Sequence, residues 1–218
     1  MSYQAIIFDL DGTLLDSERV WFTTYLEACA KYGKEYTGEH HALMMGRSKE
    51  ANLKILEEQV GVRMTLEELN AIRAEAKRRL FERGALVTKR GVQSFLLALV
   101  DRGYRLGIAT ASGKEYREKA LKMTGLLQYF EGCVSGEEVK NPKPAPDVFL
   151  AIAHQMGVDP AKCLAFEDAP AGVESALAAG MQVVGVRDRL FLRELPGAVK
   201  SIDDFTEMTT TDIERMAT

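Results

Sequence analysis

Two aspartates, Asp9 and Asp11, stand two residues apart where the apolar run Ala5-Ile6-Ile7-Phe8 ends, just ahead of Gly12. A chain leaving a strand starts such a pair on the same side. Two carboxylates in different local environments can divide labour, one binding a metal or attacking an electrophile while the other carries a proton. Three further polar groups follow in chain order: Thr110 with Ser112, Lys143 in the run Lys140-Asn141-Pro142-Lys143-Pro144-Ala145-Pro146-Asp147, and Glu167 with Asp168. The acids suit a hard divalent ion such as Mg2+, which takes a few carboxylates and keeps waters and phosphate oxygens as its other ligands. A hydroxyl, backbone N–H groups at a helix start and an ammonium suit a phosphoryl group. The combined chemistry is metal plus phosphate.

Each group also has an ordinary explanation. Asp-x-Asp-Gly occurs in calcium loops, but such a loop needs Gly at its sixth place and Glu at its twelfth, where this chain has Leu14 and Val20. A plain turn after a strand stays open on this stretch alone. Thr110 and Ser112 could cap the helix that follows, Lys143 could be a surface lysine, and Glu167 and Asp168 could answer a helix dipole. Four such groups, each at the end of an apolar run or in the loop between two, favour one site over four separate accounts. A phosphate-binding P-loop is excluded, because five residues separate Gly107 from Gly113 and Glu115 stands where Ser or Thr is required.

The elements that must position these groups are parallel strands. Apolar runs at 5–8, 104–110, 132–135, 163–166 and 182–186 alternate with helical patterns at 92–102, 114–124, 147–156 and 170–179. That rhythm predicts a doubly wound α/β fold, a Rossmann-like core with helices on both faces of the sheet. The stretch between the first two strands breaks it. Ser17 can N-cap a helix carrying Val20, Trp21, Tyr25, Leu26, Cys29 and Tyr32, which Gly33 closes, and helical patterns follow at 48–60 and 65–83. Thr65 and Glu68 have the spacing of a capping box. Several helices in succession predict an inserted α-helical cap, residues 16–84, over a catalytic core of 1–15 and 85–218. Beyond Arg187 the chain is weakly patterned.

The 218 residues are 46% hydrophobic and 28% charged, ordinary for a globular protein, and the net charge of −4 gives no general attraction to nucleic acid or an anionic membrane. The most apolar run, Phe95 to Val100, is too short to span a bilayer, and the N-terminus enters a strand without a basic leader. Cys29, Cys133 and Cys163 form neither a disulfide framework nor a metal pair and read as small core residues in a reducing compartment. A cytoplasmic protein, monomeric or weakly dimeric and acting on a small phosphorylated molecule, is expected. His40, His41 and His154 lack metal spacing, and Lys77-Arg78-Arg79 reads as a solvated helix face.

Asp9-Leu10-Asp11-Gly12-Thr13, Thr110-Ala111-Ser112, Lys143-Pro144 and Glu167-Asp168 together resemble the four ordered motifs of the haloacid dehalogenase-like hydrolase superfamily. Within it the chain is similar to the sugar-phosphatase and beta-phosphoglucomutase-like branch. The resemblance implies that Asp9 is a nucleophile forming an aspartyl-phosphate and that Asp11 is general acid and then base. It implies Mg2+ held by Asp9, the Asp11 backbone carbonyl and Asp168, with Glu167 assisting. Thr110 and the Ala111 N–H would bind the phosphoryl group, and Lys143 would neutralise its charge. Dehalogenases lack an acid at the place of Asp11, which excludes dehalogenation. In the cap, Trp21, Arg47 and Lys49 are the candidates for substrate choice. The beta-phosphoglucomutases carry a histidine and an arginine where this chain has Trp21 and Lys49, which favours a phosphatase over phosphoryl transfer between sugar positions. A phospho-accepting signalling receiver without turnover is the alternative of another class.

Overall fold

The computed structural model describes residues 3–82, 86–188, 191 and 194–217. Six strands form one parallel sheet: β1 (Ala5–Phe8), β2 (Arg105–Thr110), β3 (Gly132–Ser135), β4 (Cys163–Glu167), β5 (Gln182–Val186) and β6 (Lys200–Ile202). Their order is β3-β2-β1-β4-β5-β6, the doubly wound arrangement in which the chain reverses direction beside the first strand. Alternate residues of each strand face opposite layers. Ile6, Phe8, Leu106, Ile108, Leu164 and Phe166 join one hydrophobic cluster, while Ala5, Ile7, Ala109, Ala165 and Val183 join the other.

Helices cover both layers. On the first lie α5 (Val92–Asp101), α6 (Lys114–Met123) and α9 (Thr210–Met216), and on the second α7 (Asp147–Met156) and α8 (Pro170–Ala178). Phe8 and Phe166 stack with centroids 4.9 Å apart in the first layer. Burying such side chains contributes about 1.5–3 kcal/mol each, so the central strand is fixed by both faces at once. None of the helices among the described residues is long and apolar enough to cross a membrane.

Between β1 and β2 stand α1 (Glu18–Ala30), α2 (Gly38–Met44), α3 (Lys49–Ile55) continued by a π-helical turn at Leu56–Val60, and α4 (Leu66–Glu82). The chain leaves and re-enters the core along two paired segments. The Asp16 N–H donates to Val87 and the Lys89 N–H to Leu14. The end of the expected cap, residue 84, lies outside the described residues. Gly33 has the expected left-handed φ of +66°, and the Thr65–Glu68 capping box forms, the Glu68 carboxylate accepting from the Thr65 N–H at 2.7 Å.

Three expectations are corrected or extended. Ser17 occupies the N-cap position of α1 but its hydroxyl makes no cap bond; it donates to Asp11 instead, at 2.7 Å. Helix α2 is new: its capping box uses Thr37 with His40 in the place where Glu or Gln announces one, and seven residues show little periodicity. The weakly patterned tail supplies the three-residue edge strand β6 and α9.

Candidate active site

Parallel strands deliver their carboxyl ends to one edge, and the reversal of strand order opens a crevice there. Asp9 is the first residue beyond β1, Thr110 the last of β2 and Glu167 the last of β4. These are the three central neighbours of the sheet. Lys143 enters from the loop between β3 and α7 and is buried. Its ammonium donates to Asp9 Oδ1 at 2.7 Å, to the Ala109 carbonyl at 3.0 Å and to Glu167 Oε1. All three of its protons are thereby used. The other Glu167 oxygen accepts from the Ala169 N–H at 2.9 Å, at the start of α8.

Asp9, Glu167 and Asp168 are all buried, and the Lys143 ammonium is in contact with Asp9 and Glu167. Burial pushes the Asp9 carboxyl well above the usual carboxylate range, Lys143 pulls it back, and Glu167 and Asp168 push it up again. Burial works to lower the Lys143 pKa, but Asp9 and Glu167 outweigh it and raise it. Asp168 accepts from the Thr13 hydroxyl at 3.0 Å. It lies so close to Gly12 (φ +81°) that a Cβ there would fall 2.3 Å from Asp168 Oδ2.

Asp11 is held differently. Its Oδ1 accepts from the hydroxyls of Ser17 at 2.7 Å and Tyr116 at 2.6 Å, and its Oδ2 from Ser112 at 2.6 Å. Neither carboxylate of the Asp9–Asp11 pair thus shares its partners with the other, the condition under which two acids take separate tasks. Burial and the Asp11 carboxylate both raise the Tyr116 phenol, which stays a donor. Thr110 is fixed by accepting from the Ser112 N–H at 3.0 Å.

A cavity lies over these groups. Asp9, Asp11, Thr110, Ala111, Glu167 and Asp168 line its core side, and Trp21 and Arg47 its cap side. Lys143, bonded to Asp9, is not among the residues that line it. Lys49 is not brought to this cavity; it lines an adjoining one and sits 3.5 Å from Glu137. Arg78 and Arg79 pair on the helix surface with Glu75, Glu82 and Glu27 as expected, but Lys77 is turned inward over the Tyr116 ring at 5.3 Å.

Sequence reasoning missed Glu18, Tyr25, His41, Asn52 and Arg73, all on the cap side of the cavity. Glu18 reads as a helix-start acid and His41 as a histidine without metal spacing, yet they meet at 2.8 Å, buried, with the Tyr36 hydroxyl 2.9 Å from the other ring nitrogen. The Arg73 guanidinium lies 5.1 Å over the Trp21 ring. No spacing in the chain announces these meetings, because they join different helices.

Comparison with known proteins gives the site its class. Residues 6–186 match the model of the haloacid dehalogenase-like hydrolase family, and the chain belongs to that family. A phosphorylated carbohydrates phosphatase of Thermotoga maritima is 34% identical over 179 residues, 82% of either chain. A fructose-1-phosphate phosphatase of Escherichia coli is 34% identical over 192 residues, 85% of this chain and 97% of that one. The crystal structure of a beta-phosphoglucomutase from Clostridium difficile superimposes with a TM-score of 0.78 at 26% identity, covering 98% of this chain and 96% of that one. Within the family the chain stands with the phosphoric monoester hydrolases.

Proposed function

We propose that the protein hydrolyses a small phosphate monoester of a sugar or polyol, with Mg2+, through a phosphorylated Asp9. The observation that carries this reading is the buried Lys143 ammonium tied to Asp9 and Glu167 beside Asp168. No three acidic, histidine or cysteine side chains among the described residues are grouped to hold a metal by themselves. Mg2+ does not need them, since one or two carboxylates with waters and phosphate oxygens complete its shell. The carboxylates of Asp9 and Asp168 at the cavity are the hard oxygen donors that a divalent cation takes. Asp9, the Asp11 carbonyl and Asp168 would hold it, with Glu167 assisting, and it would withdraw charge from the phosphoryl oxygens.

In the first step an Asp9 carboxylate oxygen bonds to phosphorus while the bond to the leaving oxygen breaks, and Asp11 gives that oxygen its proton. A carboxylate approaching a phosphate dianion is repelled, and Lys143 offsets that repulsion. Thr110 and the Ala111 N–H hold the phosphoryl oxygens. In the second step water bonds to phosphorus, Asp11 takes its proton, and the acyl-phosphate bond to Asp9 breaks, releasing inorganic phosphate. Residues 16–84 act as a cap over the site, with Trp21 and Arg47 facing the leaving group.

The test is a phosphate-ester panel with and without Mg2+. Turnover of sugar and polyol phosphates that needs Mg2+ is expected, and Asp9→Asn lowers kcat on the order of 10⁴-fold or more, as loss of a nucleophile does. Wild-type rates in Asp9→Asn would rule the mechanism out, and a lasting phosphoenzyme without turnover would point to a signalling receiver. The likeness to a beta-phosphoglucomutase keeps a second reading alive, phosphoryl transfer between sugar positions. Interconversion of glucose 1-phosphate and glucose 6-phosphate with a bisphosphate primer would support it; Lys49, engaged with Glu137 away from the Asp9 cavity, argues against it.

A further inference from the structure

Tyr116 belongs to α6, a helix on the sheet, and is 3% exposed. Side chains from the helices inserted between β1 and β2 close round its ring. The Trp21 ring of α1 lies with centroids 6.2 Å apart, the Phe81 ring of α4 at 5.4 Å, and the Lys77 ammonium of α4 lies 5.3 Å from the ring centre. Aromatic pairs at such separations attract beyond their buried area, and a cation over a ring adds to this. The ring is thus seated by α1 and α4. Its hydroxyl donates the other way, to Asp11 Oδ1, at 2.6 Å.

The two oxygens of Asp11 are held unequally. Oδ1 accepts from Tyr116 and from Ser17, neither of which lines the cavity over Asp9. Oδ2 accepts from Ser112, which does line it. An oxygen that accepts two hydroxyl protons cannot carry a proton of its own without giving one up, whereas a single hydroxyl can turn and accept instead. The proton that Asp11 delivers therefore belongs on Oδ2, the oxygen on the cavity side.

We propose that Tyr116 is a positioning residue for the leaving-group proton: seated by α1 and α4, its hydroxyl holds Asp11 Oδ1 so that Oδ2 presents its proton to the ester oxygen. The proposal rests on the phosphatase reading. In the step it serves, an Asp9 oxygen bonds to phosphorus, the bond from phosphorus to the ester oxygen breaks with its electron pair left on that oxygen, and the Oδ2 proton passes to it. Without the Tyr116 hydroxyl only Ser17 holds Oδ1, and the carboxyl turns more freely. Orientation is a large part of what a positioned acid contributes.

The experiment compares kcat/KM for a hexitol phosphate and for 4-nitrophenyl phosphate, with Mg2+, in the wild type, Tyr116→Phe, Phe81→Leu and Asp11→Asn. An alkoxide leaves poorly without a proton, whereas 4-nitrophenolate leaves as the anion. Tyr116→Phe keeps the ring and removes only the hydroxyl. Its kcat/KM for the hexitol ester is expected to fall about tenfold, through kcat rather than KM, while that for the nitrophenyl ester stays within about twofold. Phe81→Leu loosens the seat and leaves every hydroxyl in place, and the ratio of the two esters is expected to shift the same way. Equal falls for both esters in Tyr116→Phe, the mark of a merely structural role, overturn the proposal, as does an unchanged ratio. An unchanged ratio in Phe81→Leu overturns the seating by α4, and should Tyr116→Phe fail to fold, Phe81→Leu decides alone. Asp11→Asn separates the proposal from the reading beneath it: a wild-type ratio there means that Asp11 does not carry the proton, and a wild type that turns over neither ester removes the phosphatase reading itself.

Discussion

Lys143 has no proton left for a substrate until one of its three partners yields. Its replacement therefore tests two things at once. Lys143→Met is expected to lower kcat/KM by about 10²–10³-fold, the scale of losing one preorganised donor to developing charge. It also leaves buried carboxylates without their cation, which costs about 3–5 kcal/mol. That cost depends on pH with a definite sign. The Asp9 carboxyl already titrates above the ordinary range, and without Lys143 it rises further, so below that pKa it is neutral and its share of the penalty disappears. Thermal unfolding of the variant should show a Tm deficit that shrinks as the pH is lowered through the Asp9 pKa; a deficit independent of pH would rule out the Asp9 charge as the cause. At this scale the sequence was informative for residues that chemistry places at strand ends: Asp9, Asp11, Thr110, Glu167 and Asp168 are adjacent to their strands in the chain. It was silent on Tyr116 and His41, whose contacts with Asp11 and Glu18 depend on which helix faces which.

Helix α8 begins so close to the site that its third residue, Gly172, has no room for a side chain. A Cβ on Gly172 would lie 1.8 Å from Glu167 Oε1 and 2.0 Å from its Cδ. Gly172→Ala should gain up to about 1 kcal/mol of helix propensity. Keeping the methyl requires the Glu167 carboxylate to leave Lys143, and breaking a buried pair costs about 3–5 kcal/mol. The clash wins, and lower Tm together with lower kcat is expected; an active and stabilised Gly172→Ala would show that Glu167 has room to move. Elements of ten residues or more were legible because periodicity accumulates with length. Helix α7, with ten residues, falls at the expected place; strands β3 and β5 do so too, as short apolar runs between helical patterns. Helix α2, with seven residues and a histidine in its capping box, and strand β6, with three residues at the sheet edge, are too short for a pattern to outweigh its surroundings.

The burial of the Asp9 carboxylate is a stability term for the whole molecule. Asp9 and Glu167 share the single Lys143 ammonium, and burial opposes folding wherever Asp9 is ionised, that is, above its raised pKa. Mg2+ should therefore raise the Tm of the native enzyme, by about 2.7 kcal/mol of stability at a hundredfold excess over its dissociation constant. The increment should be full above the Asp9 pKa and fade as the pH falls through it. A pH-independent increment would place the ion elsewhere. The doubly wound core was legible as a class because its strands are apolar throughout, whereas the seating of α1–α4 over the cavity depends on contacts between residues far apart in the chain.

The middle position of β1 has a consequence for biosynthesis. It is the first strand made, yet both of its neighbours, β2 and β4, come from residues 105–110 and 163–167. At translation rates of about 5–20 residues per second, β1 waits roughly 10–30 s for its second partner. During that interval α1 to α7 emerge with β2 and β3. The acidic edge of the sheet is completed only when Glu167 and Asp168 have been added.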